Sequence, residues 1–267
     1  MSAQAAVAID HGRLGGGPTG TAASPMYRPS TSVPTLHIAQ DPAADELLGR
    51  DAPSVADRDA RYGTIFGVPT IRIAQDDAAD ELLGRDPLAL LIGMLLDQQF
   101  AMERAFAAPR LLADRLGVEV LSAADLAEAD PEQLVTVFQG PPALHRYPGS
   151  MAGRTQAVCR LLVERHGGRA DGLWADVPDG ATLLERIGEL PGFGAQKARI
   201  LIALLGKQYG VTPPGWREAA GDYGLEGSRR SVADVTGPES LAEVRRFKQE
   251  QKAAAKKAAA KKAADAG

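Results

Sequence analysis

The residues with the clearest chemical content are Pro191-Gly192-Phe193-Gly194, followed by Ala195-Gln196-Lys197. Leu183, Leu184, Ile187 and Leu190 recur at helical spacing before them, and Ala198, Leu201, Ile202 and Leu205 after them. Two amphipathic helices must therefore meet at a very short turn. Such a turn uses glycine because its backbone visits positive φ. It uses glycine again where a ligand has to approach the main chain. The N–H groups of Gly192, Gly194 and Ala195 would stand at the start of the second helix, whose dipole favours an anion. A nucleic-acid phosphate fits this chemistry, with Lys197 adding positive charge. The alternative is a glycine-rich turn that joins two packed helices and binds nothing. A P-loop is excluded because the chain has no Gly-x-x-x-x-Gly-Lys-Ser/Thr, and this site has no Gly-x-Gly-x-x-Gly.

The other reactive side chains are sparse. Cys159 is the single cysteine, which excludes an internal disulfide framework and any four-cysteine cluster, and it reads as a core thiol. His11, His37, His145 and His166 are scattered without ligand spacing, so no metal and no cofactor are expected. Trp174 and Trp216 can serve as stacking platforms for bases or as core anchors; Trp216, in a loop, is the better candidate for a pocket.

Several elements must position these groups. The 267 residues suffice for a self-supporting core, and 45% apolar content suits a globular protein. Residues 1–33 are rich in Ala, Gly, Ser, Pro and Thr and are expected to be disordered. Residues 34–51 (PTLHIAQDPAADELLGRD) recur at 69–86 (PTIRIAQDDAADELLGRD) with three of 18 positions changed. Only the second copy runs into an apolar helix, so it should be the integrated one. The first reads as a recent duplication or an over-extended reading frame, and 1–68 as an extension to the folded body. From residue 86 the signals are helical. Asp86-Pro87 is a cap and first-turn proline leading into Leu88–Leu96, apolar on every face, a central buried helix ending in Asp97-Gln98-Gln99. A second helix is expected over Pro109–Leu116, stopped by Gly117. Asp130-Pro131 starts another, with Gln133 able to reach back to the cap; Gln139–Ser150 is a loop; Arg154–His166 is amphipathic and stopped by Gly167-Gly168. Thr70–Ile73 could make one short strand at most. The fold class is an all-α helical bundle. No apolar run reaches the ~20 residues that span a bilayer, and the N-terminus lacks a secretory pattern.

With its Leu-Pro-Gly-x-Gly-x-x-Lys-Ala pattern, the turn is a helix-hairpin-helix sequence, and the chain resembles the helix-hairpin-helix (HhH-GPD) base-excision DNA glycosylase superfamily, in particular a bacterial branch of it. Three segments carry the resemblance in order: Leu91–Gln99 (LIGMLLDQQ), Gly153–Gly168 (GRTQAVCRLLVERHGG) and Leu190–Ala198 (LPGFGAQKA), within about residues 70–235. The resemblance implies a DNA-glycosylase-like bundle that bends duplex DNA, rotates a damaged nucleotide out of the stack and cleaves its N-glycosidic bond. It implies that Gln98 and Gln99 probe the vacated space, their alternative being a solvated helix end. It also implies a carboxylate that stabilises an oxocarbenium-like sugar. The family's aspartate belongs in Val211–Glu218, which holds none; Asp222, then Glu218, are the candidates, and a turn or cap role is the alternative for Asp222. The family's lyase lysine falls at Gln196, so a monofunctional, water-using enzyme is expected and lyase chemistry is disfavoured.

The formal charge of −4 hides an asymmetry. Residues 241–267 carry eight basic and three acidic side chains, net +5, which leaves −9 for the rest. Leu241, Val244 and Phe247 can dock the start of this tail on the body. Past Gln251 the Ala/Lys repeat has no apolar face and is expected to fray in isolation. Its lysines offer salt-sensitive attraction to DNA or a solubilising end. The expected organisation is a 1–68 extension, a 69–236 helix-hairpin-helix body and a 237–267 basic helical tail. The expected protein is a cytoplasmic, nucleoid-associated monomer whose partner is double-stranded DNA, with no membrane contact. Its two alternative roles are an N-glycosylase and a module that binds distorted DNA without cleaving it.

Overall fold

Aspartates start the first two helices. In the computed structural model, which describes residues 69–264, Asp76 accepts the Ala79 N–H at 2.9 Å and opens α1 (Asp77–Arg85). Asp86 accepts the Leu88 and Ala89 N–H groups at 2.9 and 3.2 Å and opens α2 (Pro87–Leu96), where Pro87 has no N–H to satisfy. Every residue from Leu88 to Leu96 is buried, as an all-round apolar helix requires. The second repeat copy is thus part of the core, through Ile71, Ile73, Leu82 and Leu83. The first copy and the extension around it, residues 1–68, lie outside the described residues. Thr70–Ile73 does not form a strand. Buried Asp80 takes the Ile73 and Ala74 N–H groups at 2.9 and 2.7 Å and folds the segment back on α1 instead.

Helix α3 (Met102–Leu116) begins seven residues before the expected start, with Pro109 inside it. Proline there removes one backbone bond. The buried face of Met102, Ala105 and Phe106 outweighs that loss. Phe106 reaches α2 because position 93 is glycine: a Cβ there would stand 2.8 Å from the ring. Gly117, at φ 70°, ends α3. Helices α4 (Ala123–Glu128) and α5 (Pro131–Gln139) flank α6 (Pro148–His166), and buried Gln156 of α6 donates to Ala129 O between them at 2.6 Å. Helix α6 extends from Pro148, six residues before its expected start, and ends at Gly167 with φ 59°.

The second half centres on α8 (Ala195–Gln208), packed by α7 (Gly180–Gly188), α9 (Trp216–Ala220) and a short 3-10 turn at Val232–Asp234. The halves join where the Tyr209 hydroxyl reaches Leu83 O at 2.9 Å and Gly84 O at 3.1 Å. Helix α10 (Pro238–Ala264) docks through buried Leu241 and Val244 and continues into the Ala/Lys repeat. A docked first turn supplies the nucleus, and strong helix formers then propagate it one bond at a time. The described residues thus form ten α-helices and three short 3-10 turns without a strand. None of these helices is long and apolar enough to cross a membrane.

Candidate functional site

The turn between α7 and α8 is anchored from below and open from above. Leu190 and Phe193 are buried, and the Phe193 N–H donates to Leu190 O at 3.0 Å. Gly192 has φ 87°, a conformation that calls for glycine, and a Cβ on it would stand 2.9 Å from the end of the Leu95 side chain. Gly194 has neither the positive φ nor the close neighbour. It has φ −75°, and a Cβ built there meets nothing within 4 Å. It caps α8 without a side chain, and Gly194, Ala195 and Gln196 are exposed. Among the described residues, the N–H groups of Gly192, Gly194, Ala195 and Gln196 donate no hydrogen bond. A short row of free main-chain donors at a helix N-terminus can hold an oxyanion. Sequence placed Phe193 among the ligand-facing residues; its ring is instead the anchor.

Lys197 turns away from the row. Its ammonium donates to Leu95 O at 2.8 Å and lies 5.7 Å from the Phe193 ring centre. There it meets the carbonyl end of α2, where a cation is favoured. Burial lowers its pKa to about 8, partly offset by the charge of Asp97 and reinforced by that of Arg154. Arg154, on α6, is an exposed cation beside the turn: its Cδ would lie 3.7 Å from a Cβ on Gly192.

Beside the turn lies a cleft of about 580 Å³. Its walls come from the end of α2, the first turn of α8, Tyr223, Arg230 and the α10 residues Phe247 and Lys248. Gln196 and Lys197 belong both to the turn's helix and to this cleft, and the Gln196 amide donates to the Tyr223 hydroxyl at 2.9 Å. Asp97 is the one carboxylate among the cleft's lining residues. Burial raises its pKa, against the lowering effects of Lys248 and Lys197, while Glu103 adds to the rise. Sequence reasoning overlooked Asp97. The available signal was an acidic residue closing a wholly apolar helix.

The glutamine pair divides its duties. Gln98 is tied down: its amide N donates to Leu95 O at 2.8 Å, and its amide O accepts from Arg154 at 3.1 Å. Gln99 is exposed on the cleft rim at φ 52°, a conformation that costs a non-glycine residue energy. His145 holds this bend in place. The Tyr147 N–H donates to its Nδ1 at 3.0 Å, which leaves Nε2 to donate to Gln98 O at 2.9 Å. Burial lowers the His145 pKa, so the folded chain keeps it neutral while the unfolded chain protonates near 6.5. The unfolded state then binds more protons as pH falls through that value, and stability is lost. The urea midpoint should fall from pH 7.5 toward 5.5, and His145→Gln should flatten the slope; His166, lowered by burial in the same direction, supplies the remainder. A slope unchanged by His145→Gln would contradict the clamp.

The remaining expected site residues stand elsewhere. Asp222 is exposed and pairs with Arg230 at 3.0 Å, and Glu218 is exposed; neither lines the cleft. Trp216 is buried against Gly206 with the Arg217 guanidinium 4.4 Å from its ring centre. Trp174 is buried edge-on to Tyr209. Cys159 is fully buried, and desolvation pushes its thiol up to about 12. No family model, curated protein or solved structure matches the chain.

Proposed function

We propose that the protein binds the sugar–phosphate backbone of duplex DNA through the turn at Gly192–Gln196, as a helix-hairpin-helix does. On that footing it acts in base excision as a monofunctional N-glycosylase on a damaged, flipped-out nucleotide. The observation that carries the reading is Gly194. Its backbone would tolerate a side chain and its surroundings would accommodate one, yet the position is glycine and leaves a row of unspent N–H groups uncovered. Approach of an external group to the main chain explains that choice. Arg154 beside the turn, and Lys252, Lys256 and Lys257 on exposed α10, supply cations along a backbone path. A second reading, a module that binds distorted DNA without cleaving it, is favoured by the positions of Asp222 and Glu218 outside the cleft.

Gly194→Ala tests the shared part of both readings. A methyl group there covers the donors without touching the protein, so the unfolding midpoint should move little; exchanging glycine for alanine at a helix cap costs under ~1 kcal/mol. Hydrogen bonds to a charged acceptor contribute about 1.5–3 kcal/mol. Loss of one such bond predicts duplex affinity lower by at least about tenfold in fluorescence anisotropy. Affinity equal to wild type in a folded Gly194→Ala protein removes the phosphate site.

A further inference from the structure

The cleft beside the turn contains a carboxylate with nothing to hold. Among the described residues, the Asp97 side chain accepts no hydrogen bond and makes no ion pair, although Lys197, Lys248 and Glu103 are close enough for their charges to be felt. Other carboxylates nearby each have a cation: Glu103 pairs with Arg245 through one oxygen, and Asp222 pairs with Arg230. Asp97 is half-buried, so its carboxylate faces the cleft rather than a protein partner, and perturbed carboxylates in clefts are where proteins act on a ligand. The cleft volume lies within the about 300–1,000 Å³ typical of small-molecule sites. Its lining joins apolar Met94, Phe100 and Ile200 to polar Gln99, Tyr223 and Lys197, a mixture suited to one base and its sugar.

We propose that Asp97 is the catalytic carboxylate of this cleft, drawing a proton from a water that attacks C1′ of a flipped nucleotide, and that Lys197 protonates the departing base. The assignment rests on the glycosylase reading above. A bond forms between the water oxygen and C1′. The C1′–N bond breaks, and its electron pair leaves with the base. One water proton passes to Asp97, and one ammonium proton passes from Lys197 to the base nitrogen. The proton on Asp97 then returns to the Lys197 amine through solvent, which restores both groups. The bond to Leu95 O occupies one of three ammonium protons and leaves two for this use.

A stability measurement distinguishes this role from a structural one. Ionised Asp97 is disfavoured in the fold, because its folded pKa lies above the unfolded one. The folded state binds the extra proton between those values, so the penalty grows as pH rises through them. Asp97→Asn should therefore raise the unfolding midpoint at pH 7 relative to wild type, with the gain fading below pH ~4. A structural carboxylate would give the opposite sign.

Single-turnover base release would be measured on duplexes carrying an alkylated, a deaminated or an oxidised base, with affinity followed in parallel. Asp97→Asn should slow release about 10²–10⁴-fold while affinity stays within about threefold. Wild-type release should decline above pH ~8 as Lys197 loses its proton, and Lys197→Gln should abolish that limb. Wild-type release rates in Asp97→Asn overturn the assignment and leave the glycosylase reading standing. Wild-type protein that binds these duplexes but frees no base overturns both. Wild-type protein that binds none of them removes the reading of the turn itself.

Discussion

Asp234→Ala is expected to cost the fold about 3–5 kcal/mol, the range for removing one member of a buried ion pair. The Asp234 side chain is 2% exposed and sits 2.6 Å from the Lys207 ammonium, itself 16% exposed. Its other oxygen accepts the Arg230 and Ser231 N–H groups at 2.8 and 3.1 Å. The variant leaves a shielded ammonium and two main-chain donors without an acceptor. Gln208, one residue on, also spends its amide on this turn, donating to Ala233 O at 2.8 Å. The last turn of α8 is thus pinned to the segment that carries Arg230 into the cleft and leads into α10. Urea unfolding is the measurement, and Asp234→Ala/Lys207→Met is the control. Removing the stranded ammonium should recover part of the loss, because an ion pair replaced as a unit by apolar groups is often near neutral. A loss under about 1 kcal/mol in the single variant, or no recovery in the double, would show that the pair is solvated and incidental.

The elements were legible where local chemistry decides them. Asp86-Pro87 and Asp130-Pro131 each cap a helix, and Gly117 and Gly167 each end one in the left-handed region. The apolar stripes around the turn at Gly192 are the buried faces of α7 and α8. Helix starts were misplaced where tertiary burial overrides a local signal. Pro109 reads as a first residue, yet Met102, Ala105 and Phe106 find core ahead of it.

The site was half legible. Its glycine pattern is local, but its side-chain directions are long-range facts. Nothing near Lys197 in sequence says that a carbonyl 102 residues earlier will receive its ammonium. Nothing near His145 says that it will hold Gln98 in place. Net charge misleads for the same reason. Arg230 of the acidic body and Lys248 of the basic tail meet in one cleft, and Arg154 stands at the turn beside it, although the three are remote in the chain.

Trp216 carries the second large effect. Gly206→Val is expected to cost about 3 kcal/mol, the upper end for overpacking. A Cβ at position 206 would stand 2.3 Å from Cζ3 of the indole and 2.4 Å from Cε3. The ring cannot slide aside, because its own backbone is pressed on Gly180: a Cβ there would meet Trp216 Cα at 2.6 Å and Gly215 O at 2.6 Å. The Gly180 N–H also donates to Pro214 O at 2.8 Å, which fixes the approach of α9 to α7. Valine must therefore expel the indole, and the lost aromatic burial adds to the strain. In a Trp174→Phe background the emission of Trp216 should shift to the red with Gly206→Val, while without that change it should not respond to duplex DNA. These two readings belong together. An indole packed on Gly206, on a backbone held against Gly180, cannot also swing out to stack on a base. A Gly206→Val protein with native stability and unshifted emission would free Trp216 from the core and return it to the list of ligand-facing residues.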